Sequence, residues 1–428
     1  MKNEVIFDSR GIPDIMVAFT PDELGLPAEL KGRKVEAYLI GKYQATMIDG
    51  VPHSLPFQQP AVNVPLDDAI RLCEAKGPGW HLTTNDEWAA LAHQSRKKGT
   101  LPRGNTNNGK SHSHPEETGT TYDGSYGKTL TGSGPVTWNH DHTAEGVADM
   151  CGNVWEHVGG IRFLNGQVQV IPNNEAAAGA DQSKDSKEWQ AIHAADGDPV
   201  YYKVEGGEIS LQSVEPGCKG YDGVEFKDLS AEAMDVPEKL IELGLYPAPG
   251  YEGTDYFWLD TDGERCVIRG GNWNNGAGAG VFSFSGNNSR AIVGTRVGFR
   301  SAFVRYSGDS DNLENLDNEV TDLSDAPQEI KDAIKANAEK LERTGTMTKE
   351  WALRKEMDAT LKRLCLYLEW EAGVLNPENV QRYTVGQREA ERFTVKMVQN
   401  VQKTIGQLHK RIRELADELS REGAANHK

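Results

Sequence analysis

The sequence predicts an α+β fold: a loop-rich body of short strands, turns and few helices, followed by an α-helical C-terminal region. Three observations predict it. Glycine occurs 45 times in 428 residues, mostly before Val304 and without a G-X-Y period, which implies many turns and irregular loops rather than collagen. Strand signals and capped-helix signals follow one another at short spacing in the first hundred residues. After residue 325 the composition turns helical and closes on a regular apolar seam.

Taken in order, residues 1–60 read as short strands and turns, with Ala37 to Tyr43 a strand by its β-branched and aromatic content. Leu66 to Ala75 reads as a short helix. A second helix opens at Thr84, which can cap it, while Glu87 three residues on closes a capping box; it runs through Leu91 to about Arg96. Residues 99–146 are poor in apolar side chains and rich in Gly, Thr, Ser, Asn and His, the composition of loop. Residues 165–255 read as an insertion, acidic and weakly periodic. Val267 to Phe303 returns to strands and turns. The predicted organisation is therefore a body at 1–304, an acidic linker at 305–325 and a helical region at 326–428. In that last region Val398, Val401, Ile405, Leu408, Ile412, Leu415 and Leu419 recur at steps of three and four, an a/d seam over 398–419. The seam serves a coiled coil or, equally, an amphipathic helix packed on Trp351 to Leu368 of the same chain.

Charge narrows the partners. The net charge is −18, and with 20 basic and 23 acidic residues after Val304, the first 304 residues hold 15 of the excess negative charges. Phosphates demand Lys and Arg, so nucleic acid and anionic membrane are excluded as principal partners. The N-terminus lacks the apolar run of a signal peptide and no stretch approaches the ~20 apolar residues of a spanning helix, so the expectation is synthesis in the cytoplasm without membrane insertion. The five cysteines, Cys73, Cys151, Cys218, Cys266 and Cys365, form no C-x-x-C pair and read as free thiols.

Six motifs occur in one order. Ala37-Tyr38-Leu39-Ile40-Gly41-Lys42-Tyr43 opens the set. Pro60 to Ala69 follows the pattern P-V-x-x-V-x-W-x-D-A with Leu66 at the tryptophan position. His81-Leu82-Thr83-Thr84-Asn85-Asp86-Glu87-Trp88 parallels R-L-P-T-E-x-E-W. Asp149-Met150-Cys151-Gly152-Asn153-Val154-Trp155-Glu156 parallels D-M-x-G-N-V-W-E. Arg269-Gly270-Gly271-Asn272-Trp273 and Gly298-Phe299-Arg300 complete it as R-G-G-x-W and G-F-R. Over residues 37–303 the chain thus resembles the formylglycine-generating-enzyme (sulfatase-modifying factor) type of C-type-lectin-like fold. The resemblance implies scaffold roles for Trp88, Asn153, Trp155, Arg269, Gly270, Gly271, Trp273, Gly298, Phe299 and Arg300: tryptophans as apolar anchors, glycines at close backbone approaches, arginines tying loops through carboxylates or carbonyls.

The same resemblance argues against catalysis. Many such enzymes place a cysteine just after the G-F-R arginine, where this chain has Ser301, and no cysteine occurs from Val267 to Phe303; thiol chemistry needs a thiolate. No phosphate loop or nucleophile elbow is present. The stretch from Val267 to Val304 instead resembles the variable region of proteins diversified by retroelements, in which adenine misreading converts asparagine codons to others. Expected ligand-contacting positions over 267–300 are Asn272, Asn274, Asn275, Gly278, Ser283, Phe284, Ser285, Asn287, Asn288, Ile292, Gly294 and Arg296, a mix of amides, small residues and aromatics suited to adaptable recognition.

The resemblance implies a protein or glycan ligand for this surface, and a phage tail, prophage product or surface-displayed setting. The C-terminal helices would then join a carrier or a homo-oligomer. No cofactor is fixed by the sequence beyond a candidate structural calcium. Relatives of the fold often hold structural calcium, and Asn153 with Glu156 are the candidate ligands, hard oxygen donors in a segment resembling such a site; the competing reading has both closing a turn and pairing with Arg269 or Arg300. The pairs His112/His114 and His140/His142 have H-x-H spacing, which suits a transition metal but also occurs in ordinary polar loops.

Overall fold

The structure is a computed structural model that describes residues 2–7, 13–308 and 410. By internal contacts the chain divides into two units, Met1–Ser307 and Gly308–Lys428. The predicted helices of 326–428 and the 398–419 seam lie outside the described residues, as does most of the acidic linker.

The first unit is mostly sheet. A six-stranded sheet runs Lys2–Phe7, Pro13–Phe19, Arg33–Gly41, Ser301–Tyr306 and Trp80–Leu82, with Glu29–Leu30 paired to Arg33–Gly41. Here the start and end of the body meet: Ser301–Tyr306 lies antiparallel between Arg33–Gly41 and Trp80–Leu82. The expected strand at 37–43 begins four residues earlier and ends at Gly41. A larger sheet of eleven strands runs Tyr221–Glu225, Tyr256–Asp260, Gly280–Asn288, Glu264–Gly270, Trp155–Leu164, Gln167–Val170, Tyr201–Glu205, Glu208–Gln212 and Ser230–Ala231, with Gln190–Ala191 and Val297–Phe299 paired at its sides.

Two helices of length sit against these sheets. Leu66–Glu74 buries Leu66, Ala69 and Cys73. Asn85–Lys98 starts in a complete capping box, with Thr84 Oγ1 accepting from the Glu87 amide and the Glu87 carboxylate accepting from the Thr84 amide, and stops at Gly99 in the left-handed conformation. Its inner face delivers Trp88, Leu91 and Ala92 to the main core. Trp88 is satisfied at both ends of its chemistry: the ring is buried and the indole Nε1 donates to Val281 O at 2.8 Å. Among the described residues no helix is long and apolar enough to cross a membrane.

Residues 165–255 are not a separate lobe. Val168, Val200, Tyr202, Ile209, Leu211, Phe226, Leu240 and Leu245 join Phe163, Phe257 and Phe284 in one core. Their strands span only four or five residues, Gln167–Val170, Tyr201–Glu205 and Glu208–Gln212. Each therefore contributes only two or three buried positions, too few to register as alternation in a sequence window.

Candidate ligand-binding surface

The Gly280–Asn288 strand organises the site, because its pleat sends neighbouring residues to opposite faces. On one face, Phe284 stacks on Phe257 with ring centroids 4.5 Å apart and meets Phe163 edge-on at 5.7 Å, while Phe282 stacks on Phe226 at 5.7 Å. On the other face lie Ser283, Ser285 and Asn287. Ser283 Oγ donates to Gly278 O at 2.9 Å, Ser285 Oγ to Asn287 Oδ1 at 2.6 Å, and Asn288 Nδ2 to Ser285 Oγ at 3.0 Å.

The adjoining Tyr256–Asp260 strand pairs in parallel, with Trp258 opposite Ser285 and Phe257 opposite Phe284. Its alternation puts Phe257 and Leu259 in the core and leaves Tyr256 and Trp258, both partly exposed, beside the serines. Tyr256 and Trp258 lie 4.6 Å apart, and Trp258 meets Trp155 edge-on at 5.7 Å. Trp155, Ile268 and Val297 complete the apolar floor.

Two loops border this face. The first follows Gly270 and Gly271, both at positive φ. A side chain at Gly271 would sit 2.5 Å from Ala279 Cβ, and one at Gly270 would sit 2.9 Å from Met150 O, so the chain can turn here only as glycine. Asn272 and Asn275 then spend their carbonyls on the turn: Asn275 Oδ1 accepts from the Asn272 amide at 2.8 Å and Asn272 Oδ1 from the Asn274 amide at 2.9 Å. Asn274 is exposed, and Asn275 and Gly278 are partly so. The second loop, Ser289 to Arg296, exposes Arg296 and partly exposes Ile292 and Gly294. It is held from behind by Arg290, which binds Glu264 and Asp67.

Trp273 joins the loops. Its ring is buried, with the Arg296 guanidinium 5.6 Å and the Lys128 ammonium 4.7 Å from its centroid. Its carbonyl accepts from the Asn108 amide at 2.7 Å. The segment carrying Lys128 passes over the indole at Gly127, where a Cβ would meet Trp273 Cδ1 at 2.6 Å. Tyr126, 76% exposed, projects from that segment.

One expected contact residue is corrected outright. Phe284 is 0% exposed and packs in the core; the aromatic area of this face comes from Tyr126, Tyr256 and Trp258 instead. Asn272, Ser283 and Ser285 are also buried and hydrogen-bonded within the chain. Exposed or partly exposed are Asn274, Asn275, Gly278, Asn287, Asn288, Ile292, Gly294 and Arg296. Sequence reading missed Tyr126, Lys128, Tyr256 and Trp258. The last two stood in a legible alternation, Tyr-Phe-Trp-Leu-Asp. The first two had no local signal.

Buried polar groups lock the frame behind the face. Arg300 forms a two-pronged pair with Glu156, Nε to Oε2 at 2.9 Å and Nη2 to Oε1 at 2.8 Å, and also donates to Gly41 O and Ala148 O. Arg269 donates to Asn85 Oδ1 and to the carbonyls of Leu243 and Gly244, and burial pushes its pKa down to about 9. Gly298 lets this segment pass Ala61, whose carbonyl oxygen would lie 2.3 Å from an added Cβ, and Phe299 is fully buried.

Asn153 and Glu156 do not fit calcium. Both Glu156 oxygens are taken by Arg300, and Oε1 accepts from Gln44 Nε2 as well. Asn153 Oδ1 accepts from the Thr129 amide at 2.8 Å and from Asn105 Nδ2 at 3.2 Å. A hard cation needs six to eight free oxygen ligands, and a guanidinium stands where it would bind. Among the described residues no three His, Cys, Asp or Glu side chains are grouped to hold a metal. The histidines of the two H-x-H pairs are engaged separately, His112 with Thr106, His114 with Ser113, His140 with Gln94 and Val147, and His142 with Leu101. Ser301 Oγ lies 3.4 Å from Cys73 Sγ, a buried thiol pushed up to about 12 by desolvation.

No curated protein matches the sequence. Among solved structures, Treponema denticola variable protein 1 is 14% identical, with 71% of this chain and 99% of that one covered at a TM-score of 0.27. PvdO from Pseudomonas aeruginosa is 16% identical over 71% of this chain and 99% of that one, with a TM-score of 0.29. Residues 38–207 match the family model of the sulfatase-modifying factor enzyme 1-like domain.

Proposed function

We propose that this chain is a non-catalytic ligand-binding protein on a C-type-lectin-like fold of the formylglycine-generating type. Its contact surface combines the exposed part of 267–300 with Tyr126, Tyr256 and Trp258. The observation that carries the reading is the two-faced Gly280–Asn288 strand. One side is sealed into the core by Phe282 and Phe284, while the other sits between two exposed loops and a partly exposed aromatic pair. Rigid aromatics beside small residues and amides are the chemistry of adaptable binding sites. Against thiol catalysis stand Ser301 at the place of the enzymes' cysteine and a Cys73 thiol held far from its thiolate.

The proposal extends to origin. The likeness of 267–300 to retroelement variable regions supports diversification by adenine mutagenesis, and with it a phage or prophage protein displayed at a virion tip or cell surface. The helical 326–428 region would serve as attachment to a carrier or a second copy. Deep sequencing of the 267–300 segment across a carrying population tests it. Substitutions are expected at Asn274, Gly278, Ile292, Gly294 and Arg296, with Gly271, Phe284, Gly298 and Phe299 fixed. An invariant segment overturns diversification and leaves a relative of the formylglycine-generating enzyme with a fixed partner or an altered role.

A further inference from the structure

We propose that the candidate surface contains a carboxylate-binding subsite at the Lys128 ammonium and the Arg296 guanidinium, the two cations that approach Trp273. This deepens the ligand-binding reading above and rests on it. The body is strongly acidic, yet these two cations converge on one ring, 4.7 and 5.6 Å from its centroid. Lys128 is 4% exposed, and among the described residues its ammonium has neither a hydrogen bond nor an ion pair; it has only the faces of Trp273 and Tyr126. The stem of Lys128 is covered while its ammonium still reaches solvent, so an incoming anion can meet a charge that the aromatic faces leave unneutralised. Burial holds the ammonium below the ordinary lysine value, with no carboxylate acting on it.

Arg296 is likewise without an ion pair among the described residues, whereas its neighbours are saturated. Arg290 binds Glu264 and Asp67, and Arg300 binds Glu156. A guanidinium fork matches a planar carboxylate, and the lysine supplies a point charge for it. The acidic body favours such a monoanion over a dianion, which would meet twice the repulsion. Lys128 lies outside 267–300 and Arg296 inside it, so the subsite would pair a constant cation with a replaceable one.

The test uses the full chain labelled with 5-fluorotryptophan, the Trp273 resonance being assigned by Trp273→Phe. D-glucuronate and N-acetylglutamate amide are titrated against their neutral counterparts, D-glucose and N-acetylglutamine amide, at matched ionic strength. The expected result is a saturable shift of the Trp273 resonance with at least one acid, at least tenfold weaker with its neutral counterpart. Lys128→Met and Arg296→Gln should each weaken that binding tenfold or more, and Lys128→Arg should retain it. Which acid binds more tightly tells an acidic sugar from an acidic side chain as the source. Equal response to acid and neutral probe, a shift that follows ionic strength alone, or unchanged binding in Arg296→Gln (an exposed position where folding is not at stake) overturns the subsite. Those outcomes leave the surface itself standing, which population sequencing tests independently.

Discussion

The two faces of the Gly280–Asn288 strand make the most instructive contrast in the molecule. Phe284 and Ser285 are adjacent in sequence and share one backbone. Phe284 touches Phe257 and Phe163 in a closed core, whereas Ser285 bonds to Asn287 and Asn288 and lies opposite Trp258. The lesson is that tolerance to change follows the exposure of each side chain, not membership of a segment. A segment that is half core strand tolerates change only where its side chains leave the core.

The strongest way to break that contrast is Phe284→Ala. If the face is core, the substitution leaves a cavity among Phe257, Phe163 and the Arg269 guanidinium, which lies 4.6 Å from the ring. The expected loss is about 3–5 kcal/mol, read from the midpoint of urea unfolding. A midpoint unchanged within error would move Phe284 back to the ligand side. Glu156→Gln probes the frame in the same way. It leaves Arg300 buried without its counter-charge, and breaking such a pair costs about 3–5 kcal/mol.

The frame also predicts a pH dependence. His157 is buried, with Nε2 facing Val64 O at 3.2 Å, and burial lowers its pKa from 6.5 to about 4. Between those values the unfolded chain takes up a proton that the folded chain refuses, so the contribution of His157 to stability falls as pH drops from 6.5 towards 4. The contribution of this one group is on the order of 3 kcal/mol. His157→Asn should flatten that limb of the stability–pH curve relative to the parent protein. Parallel curves for the two would remove His157 as its source.

How much of this was legible in the sequence depends on how far apart the partners lie. The Thr84–Glu87 capping box and the helix after it were read from adjacent residues and are present. The glycine pair before Trp273 could be assigned to a close approach, though not to Ala279 as the atom approached. The core role of Phe284 is legible in the alternation of Phe282, Phe284 and Gly286 with Ser283, Ser285 and Asn287, while the Gly/Asn richness of the segment points the other way, to an exposed surface. Lys128 beside Trp273 was out of reach. The residues are far apart in sequence and meet only because Gly127 lets one loop cross an indole from another, which no local pattern encodes. The strands within residues 165–255 were illegible for a different reason: at four or five residues each, they bury too few positions to show a period.

The smallest expected effect is the sharpest test of the ligand side. Arg296→Asn removes an exposed guanidinium that has no ion pair among the described residues and whose contact within the chain is the Trp273 ring at 5.6 Å. Its backbone carbonyl, which accepts from the Trp155 amide at 2.8 Å, is untouched by the change. Substitutions at such positions usually alter stability by no more than about 0.5 kcal/mol, which for a body of this size shifts the melting temperature by only about 1–2 °C. Asn274→Tyr, on the other exposed loop, should be as quiet. Were either to cost as much as Phe284→Ala, the loops would be structural, and the contrast between the faces would collapse into a single core. If both are silent while Phe284→Ala is severe, the loops are free where the strand is core, and the search for a ligand begins on the loops, where substitution is free.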